Sequence, residues 1–286
     1  MNRHSKLFLI TLCFIVTWPA ITVGQTNGQT QKPTTPSSVV IVGVMKGEGL
    51  FRSYFESPYT NEKLEKNISV FAETRHPNWF LFSNGQFTQD PFNKKRLSFQ
   101  AHNHTFSAGP IRANVGFSYS YSEARERLLQ TGTLELIDLS KKHFGVASIG
   151  VGLGTYDKSH LRFLFLAGGA HTRYDLNIYV DNRLSNPNNH NFGNDTLPMV
   201  GEEILIYLKP FKTLVLEAAG KYLKTLSNRQ GIIPLENWLL ESRVTFFVYR
   251  NIGISAHGTY TDNPHGMAFT SQSAEIGLAI KIKPHH

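Results

Sequence analysis

The stretch that decides the fold is "IRANVGFSYSYSE", residues 111–123. Its odd positions as far as Tyr121 carry apolar or aromatic side chains, and its even positions as far as Ser120 carry polar, charged or very small ones. Because successive side chains of a β-strand point to opposite faces, the pattern predicts a strand with one apolar and one polar face. The apolar face must contact either a protein core or lipid, and the rest of the chain decides between the two.

The C-terminal half repeats this two-faced pattern. Apolar and polar positions alternate in "TLVLEAAGKY" from Thr213, "WLLESRVTFFV" from Trp238, "NIGISAHGTY" from Asn251 and "AEIGLAIKIK" from Ala274. Segments of about ten alternating residues have the length that a transmembrane β-strand needs. The repetition predicts a large antiparallel sheet in which each strand has an apolar face.

The connections between these segments differ in length in an ordered way. The links around residues 208–212 and 249–251 are tight, whereas residues 181–198, 227–237 and 261–271 form long links rich in Asn, Pro and Gly. Membrane barrels of bacteria have short turns at one end and long loops at the other. A soluble sandwich has no comparable reason to sort its loops, so the pattern favours lipid as the environment of the apolar faces.

The N-terminus has the layout of a secretory signal peptide, residues 1–24, with a basic start, an apolar run over residues 7–16 and a cut before Gln25. An uncleaved membrane anchor is the alternative. Residues 25–37 are polar and contain proline, which is typical of a flexible linker, and residues 38–286 are interpreted as one β-barrel domain. The single cysteine, Cys13, lies in the signal peptide, so the exported domain has no disulfide to stabilise it. A large hydrogen-bonded sheet would serve instead.

On these features the chain resembles the Gram-negative outer-membrane β-barrels over about residues 38–283. The resemblance implies an all-β fold, an antiparallel up-and-down transmembrane β-barrel, located in the outer membrane. Thirteen candidate strands conflict with the even number that such barrels use, so we expect about twelve, with ten to fourteen open. Either residues 161–180 form two strands, or two candidates within residues 67–87 form one. Residues 61–67 and 122–130 are predicted to be short helices.

The polar faces would line the lumen, and opposite charges inside a narrow barrel are expected to pair. The predicted lumen-lining residues are Arg112, Asn114, Glu217, Lys221, Glu241, Arg243, Glu275 and Lys281. Amphipathic rings on the apolar faces are expected at the membrane interface. The predicted interface aromatics are Tyr119, Tyr121, Tyr222, Trp238 and Tyr260.

Two groups of residues have side chains that could carry chemistry. Ser255 and His257 are two apart on one strand and are the best available candidates for a nucleophile and its base. Their order and surroundings match no known motif, and they fall on the polar face, away from lipid. His102 and His104 share a face, but a metal site needs a further ligand that the sequence does not supply. No metal and no cofactor is therefore expected.

The leading hypothesis is a non-enzymatic outer-membrane barrel that acts as a narrow channel or as a surface-contact or structural protein. A lipid-modifying outer-membrane hydrolase and a soluble exported β-protein that binds a lipophilic ligand are the alternatives. Residues 1–24 carry Arg3 and Lys6 and no acid, so the net charge falls from +8 to +6 on cleavage. That charge favours acidic partners: outer-membrane lipid and lipopolysaccharide, and small anionic solutes for a channel. The barrel assembly machinery is a further expected partner, and nucleic acid is not expected for an exported protein.

Overall fold

The computed structural model describes residues 38–53, 62–89, 95–131, 134–180, 183–184, 191–226, 236–262 and 269–282. The predicted signal peptide, residues 1–24, and the linker, residues 25–37, lie outside the described residues. Within the described ranges no helix is long and apolar enough to cross a bilayer.

The described part of the chain folds into thirteen β-strands. They are β1 Val39–Ser53, β2 Glu62–Arg75, β3 Trp79–Gln89, β4 Lys95–Ala108, β5 Ile111–Thr131, β6 Leu134–Gly154, β7 His160–Val180, β8 Arg183–Leu184, β9 Asn191–Phe211, β10 Leu214–Thr225, β11 Glu236–Tyr249, β12 Ile252–Asp262 and β13 Phe269–Ile282.

Twelve of these strands form a closed barrel. The order around the sheet is β6-β5-β4-β3-β2-β1-β13-β12-β11-β10-β9-β7, and β6 also pairs with β7. Pairing of β1 with β13, from Val40 opposite Ile282 to Ser53 opposite Phe269, joins the first and last strands. The two-residue β8 pairs only with β7 in the described sheet. All pairings are antiparallel, so the predicted twelve-stranded up-and-down barrel is confirmed.

The two ends of the barrel are built differently. Residues 76–78, 109–110, 155–159, 212–213 and 250–251 connect strands at one end, called the turn end below. The opposite end is called the loop end. There β5 and β6 are separated by only residues 132–133, whereas β7 and β9 are separated by residues 181–190 with β8 among them. The predicted sorting therefore holds for most connections, but β5 and β6 form a continuous long hairpin.

The outer face of the barrel is apolar, whereas the interior holds polar side chains together with two clusters of buried apolar ones. Outward side chains such as Val115, Ile149 and Leu278 are 38%, 65% and 62% exposed, whereas the inward Asn114 and Ser255 are 0% exposed. The many large apolar side chains exposed on the outer face do not fit a soluble β-protein. In lipid every backbone polar group must be paired internally, and closure of the sheet pairs them.

The height of the apolar surface also fits a bilayer. On β6 the outward positions from Leu153 to Gly145 carry Leu, Val, Ile, Ala and Gly, and His143 follows. These nine residues at about 3.3 Å each, on a strand tilted by about 40°, span roughly 23 Å, close to the height of about 25 Å of the apolar band of a membrane barrel.

Two expectations for local structure are wrong. Residues 61–67 and 122–130 were predicted to be helical, but residues 62–67 belong to β2 and residues 122–130 to β5. The reason is long-range pairing, because Glu123 to Thr131 continue the ladder with β6 that begins at Ile111. Neither proposed adjustment of the strand count applies either, since residues 161–180 lie in the single strand β7 and residues 67–87 contain both β2 and β3.

Candidate functional site

The candidate site is the part of the lumen nearest the turn end, where four charged side chains meet. We call Glu73, Arg75, Glu217 and Arg243 the ion-pair quartet. Arg75 donates to Glu73 at 3.1 Å and to Glu217, while Arg243 donates to both Glu73 and Glu217. Each cation contacts both acids. With two cations and two acids, the quartet is electrically neutral.

The quartet crosses the lumen. Glu73 and Arg75 lie on β2, whereas Glu217 lies on β10, which is five strands away around the twelve-stranded barrel. Arg243 lies on β11, next to β10, and is directly opposite Glu217 in the register. The contact between Arg75 and Glu217 therefore joins nearly opposite walls of the barrel.

Aromatic rings enclose the two guanidinium groups. The Arg75 guanidinium lies 3.8 Å from the centroid of the Tyr207 ring and 4.4 Å from that of Phe80. The Arg243 guanidinium lies 4.3 Å from the Phe71 ring centroid. These rings exclude water from the ion pairs, and desolvated cation–π contacts are stronger than exposed ones. Charges so far from water are stable only while they remain paired.

Tyr156 closes the lumen on the turn side of the quartet. It belongs to residues 155–159, which we call the inward turn because Tyr156 is only 1% exposed. Its hydroxyl donates to Asn114 Oδ1 at 2.9 Å, and its carbonyl accepts from Arg75 Nη1 at 3.4 Å. Its backbone N–H donates to Pro77 O of another turn at 3.3 Å. The inward turn is thus bonded to the barrel wall, to the quartet and to a neighbouring turn.

The Tyr156 ring is held between aromatic neighbours. It stacks on His104 with 4.3 Å between ring centroids, and it packs edge-to-face with His160 with 5.2 Å between ring centroids. His160 in turn stacks on Tyr207, which covers Arg75. Burial raises the pKa of Tyr156 to about 12, so the hydroxyl stays protonated and remains a hydrogen-bond donor.

Arg162 holds the inward turn in place. Its side chain is 0% exposed and donates to Leu153 O at 2.5 Å and to Gly154 O at 2.9 Å. The guanidinium also lies 4.8 Å from the centroid of the Tyr156 ring. These carbonyls are where β6 ends, so Arg162 fixes the point at which the chain turns into the lumen.

Two glycines at the end of β6 permit this geometry. A Cβ atom on Gly152 would lie 2.4 Å from Arg162 Cδ, so only glycine leaves room for the arginine. Gly154 has a φ of +79°, a conformation that side chains other than glycine rarely adopt. The sequence "GVGLG" at residues 150–154 therefore serves the inward turn.

Little free space remains beside the quartet. A cavity of about 80 Å³ is lined by Phe71, Phe80, Phe82, Tyr156 and Tyr207 together with the quartet residues Arg75, Glu217 and Arg243. A cavity of this size has room for only a few water molecules. At this level the lumen described by the structure is a packed core.

Further polar contacts fill the lumen beyond the quartet. Lys221 contacts Glu203 at 3.1 Å, and its Nζ donates to Ser118 on β5, four strands away, at 3.5 Å. Glu275 accepts from Ser69 at 2.6 Å and from Gln86 at 2.8 Å.

The predicted lumen residues are distributed along the barrel. Asn114, Lys221, Arg243 and Glu275 are buried in the interior, and Arg112, Glu217, Glu241 and Lys281 are partly exposed. Glu217 and Arg243 come together in the quartet, whereas Glu241 contacts Arg96 at 3.9 Å nearer the loop end. Lys281 lies over the Phe247 ring, 5.3 Å from its centroid.

The structure does not bring Ser255 and His257 together as a nucleophile and its base. The Ser255 hydroxyl is 0% exposed and bonds to Thr245 Oγ1 at 3.0 Å. His257 Nδ1 lies 3.5 Å from Glu275 Oε2. Both side chains face the lumen, away from the acyl chains that a lipid-modifying enzyme would attack.

His102 and His104 both face the lumen near the inward turn. His104 Nε2 contacts Arg162 Nη2 at 2.7 Å, and His102 is buried against Phe80 with 6.1 Å between ring centroids. Within the described residues no group of three or more His, Cys, Asp or Glu side chains could hold a metal ion.

The predicted interface aromatics lie on the outer face, toward the loop end. Tyr119 and Trp238 are 36% and 45% exposed. Tyr222 and Trp238 are paired across β10 and β11, with 4.6 Å between their ring centroids. Tyr121 donates to Glu123 at 2.5 Å, and Tyr260 pairs in register with Leu240.

Most residues of the site were missed in the sequence. Glu73, Arg75, Tyr156, Arg162 and Tyr207 were not predicted to be functional. The alternation of Phe71, Glu73 and Arg75 on one face of "VFAETR" was a usable signal for the β2 side of the quartet. The inward course of residues 155–159 has no counterpart in the sequence pattern.

No family model and no curated protein matches the chain. Solved structures with a similar fold include the translocator domain of autotransporter NalP from Neisseria meningitidis, at 9% identity and a TM-score of 0.48, covering 85% of this chain and 88% of that one. The NanC porin gives 6% identity and a TM-score of 0.43, covering 84% of this chain and 100% of that one. The Pseudomonas putida toluene transporter TodX gives 6% and 0.36, covering 87% and 89%. Similarities this low assign neither a substrate nor an activity to this chain, and the barrel architecture rests on the strand pairing described above.

Proposed function

We propose that this chain is an outer-membrane barrel whose lumen is closed at rest, and that it acts as a structural or surface-contact protein. The observation that carries the proposal is the double closure of the lumen by the ion-pair quartet and Tyr156. The cavity left beside them, about 80 Å³, is too small for a hydrated solute. The parts that would contact other molecules are then the outer surface and the loop end.

The outer-membrane location is part of this proposal. It is supported by the apolar outer face and by the predicted signal peptide, and it makes the barrel assembly machinery the expected route of insertion. Membrane fractionation combined with heat-modifiable gel mobility tests it. Recovery of the folded protein in the soluble fraction without detergent would contradict it.

Conductance in planar lipid bilayers tests the closed lumen. The wild-type protein should give no discrete current steps. The double variant Tyr156→Ala with Arg75→Ala removes the ring that closes the lumen and one of the two cations of the quartet, so it should give discrete steps. Tyr249→Ala is the matched control, because this tyrosine lies at the same end of the barrel but is 64% exposed on the outside.

Two results would contradict the closure. One is porin-like conductance of the wild-type protein. The other is the absence of current from a double variant that is shown by gel mobility to be folded and inserted, because the quartet and Tyr156 would then not be what closes the lumen.

A narrow channel for small anions is a second candidate function. It is favoured by a fully buried cation, Arg162, which donates to carbonyl oxygens and contacts a histidine, whereas the neighbouring Arg75 pairs with carboxylates. A reversal potential measured across a KCl gradient decides it. Currents of the double variant that are selective for chloride would support this function, and cation-selective currents would exclude it.

A further inference from the structure

The outer face of β4 to β7 carries a row of charged side chains toward the loop end. Lys95 pairs in register with Glu123, Glu123 with Lys141, and Lys141 with Arg173. Lys141 Nζ lies 3.8 Å from Glu123 Oε2, and the Lys141 side chain is still 42% exposed. We call these four residues the cationic row, because it holds three cations and one acid.

A second row, one outward position closer to the centre of the bilayer, is amphipathic. Tyr121 pairs with His143, and His143 with His171. The Tyr119 hydroxyl lies 2.7 Å from His143 Nδ1, and His171 Nδ1 lies 2.7 Å from Thr196 Oγ1. The rings of His143 and His171 are 6.0 Å apart. Rings with polar edges favour the boundary between acyl chains and headgroups, so this row marks that boundary.

Small outward residues form a shallow groove below the two histidines. Gly145 and Ala147 on β6 pair in register with Gly169 and Ala167 on β7. Phe117 on β5, which is 46% exposed, and Val200 on β9, which is 38% exposed, stand on the two sides. Because neighbouring strands lie only about 4.8 Å apart, two adjacent strands with small residues leave a groove wide enough for an acyl chain.

The three levels match one kind of molecule. A lipid with a phosphate on its headgroup would place the phosphate at the cationic row, its glycerol or sugar against the tyrosines and histidines, and an acyl chain in the groove. The net charge of the row complements a phosphate, and cations near a membrane surface attract anionic headgroups. Arginine and lysine are the side chains that bind phosphate most readily.

We propose that the outer face of β5 to β7 binds a phosphorylated lipid of the surrounding leaflet, with the phosphate on Lys141 and Arg173 and an acyl chain beside Gly145 and Gly169. This site is on the outside of the barrel and is independent of whether the lumen conducts. Its occupant is a membrane lipid, since the groove faces the bilayer.

Native mass spectrometry after extraction from bilayers tests the site. The protein is inserted into phosphatidylcholine nanodiscs that contain lipid A, the bisphosphorylated glycolipid, and the retained lipid A is counted. The wild-type protein should retain it. The Lys141→Glu, Arg173→Glu double variant should retain at least about tenfold less, because each reversed charge changes an attraction of about 1 kcal/mol into a repulsion.

Lys66→Glu is the matched control, because Lys66 is also exposed on the outer face near the loop end but lies on β2, which is four strands from β6 and five from β7 around the barrel. It should retain lipid A like the wild-type protein. Dephosphorylated lipid A should be retained poorly by all three proteins. Gel mobility confirms that each variant is folded.

Three outcomes would overturn the proposal. The first is unchanged retention by the folded double variant. The second is an equal loss in Lys66→Glu, which would indicate a general effect of net charge. The third is a dimer of the wild-type protein that the double variant fails to form, which would assign the face to a second copy of the chain.

Discussion

The ion-pair quartet and the Arg96–Glu241 pair both cross the lumen, but they differ in their contact with water. Arg96 is on β4 and Glu241 on β11, six strands apart, so this pair also joins opposite walls. Its charged atoms are 3.9 Å apart, and its side chains are 32% and 25% exposed. In the quartet, the side chains of Glu73, Arg75 and Arg243 are 1%, 4% and 8% exposed, and that of Glu217 is 16% exposed.

The difference shows that a cross-lumen ion pair closes the barrel only where water is excluded. Loss of one partner of a buried pair leaves a buried charge, which costs about 3 to 5 kcal/mol. Pairs in contact with water contribute roughly 0 to 1 kcal/mol. Tyr156 and the rings around the two guanidinium groups bury the ion pairs at the turn end. Nothing comparable covers Arg96 among the described residues.

Arg243→Met should have the largest effect on stability. The variant leaves Glu73 and Glu217 to share Arg75, so the free energy of unfolding should fall by about 3 kcal/mol. Urea unfolding of the refolded protein, followed by tryptophan fluorescence, measures it. Adding Glu217→Gln restores one acid for one base and should recover at least half of the loss. A loss of less than about 1 kcal/mol in the single variant would place the quartet in the same class as exposed pairs.

Tyr156→Phe should have an intermediate effect. It leaves the Asn114 side-chain oxygen without its donor while keeping the aromatic ring, and an unpaired buried acceptor costs about 1 to 3 kcal/mol. The same unfolding experiment measures it. Tyr249→Phe is the control, because that ring is 64% exposed, and its stability should not change. Equal stability of Tyr156→Phe and wild type would mean that the hydroxyl does not fix the inward turn.

Arg96→Gln should have the smallest effect. Since both partners contact water, the loss should be below about 0.5 kcal/mol at low salt and should disappear in 1 M salt, where the Debye length is about 3 Å. Arg243→Met should keep its effect in high salt. A large, salt-independent loss in Arg96→Gln would remove the distinction between the two regions.

The outer face was predictable from the sequence because it depends on local alternation. Lipid imposes the same requirement on each strand, so the pattern of residues 111–121 could be extended to Leu216 and Leu278. The close approach of Glu217 and Arg243 also follows from their positions on neighbouring strands. These features need no knowledge of which distant strands face each other.

The closure was not predictable, for the opposite reason. Glu73 and Glu217 share the same two arginines because β2 and β10 face each other across a barrel of twelve strands. The alternation of residues along a strand does not determine which distant strands face each other. Tyr156 lies between strands, where alternation says nothing. Residues 122–130 show the same limit. Their spacing of charged and apolar residues predicted a helix, but pairing with the distant strand β6 makes them part of β5.

Strands β5, β6, β7 and β9 have 21 residues each, whereas β3 and β12 have 11. The excess on β6 runs from Leu134 to Ser140, beyond the cationic row, and extends about 15 to 20 Å above the membrane surface. Among the described strands, the rim of the barrel at the loop end is therefore higher along β5 to β9 than along β3 and β12. A neighbouring molecule in the same leaflet would face more strand on the flank of β5 to β9 than on that of β3 and β12.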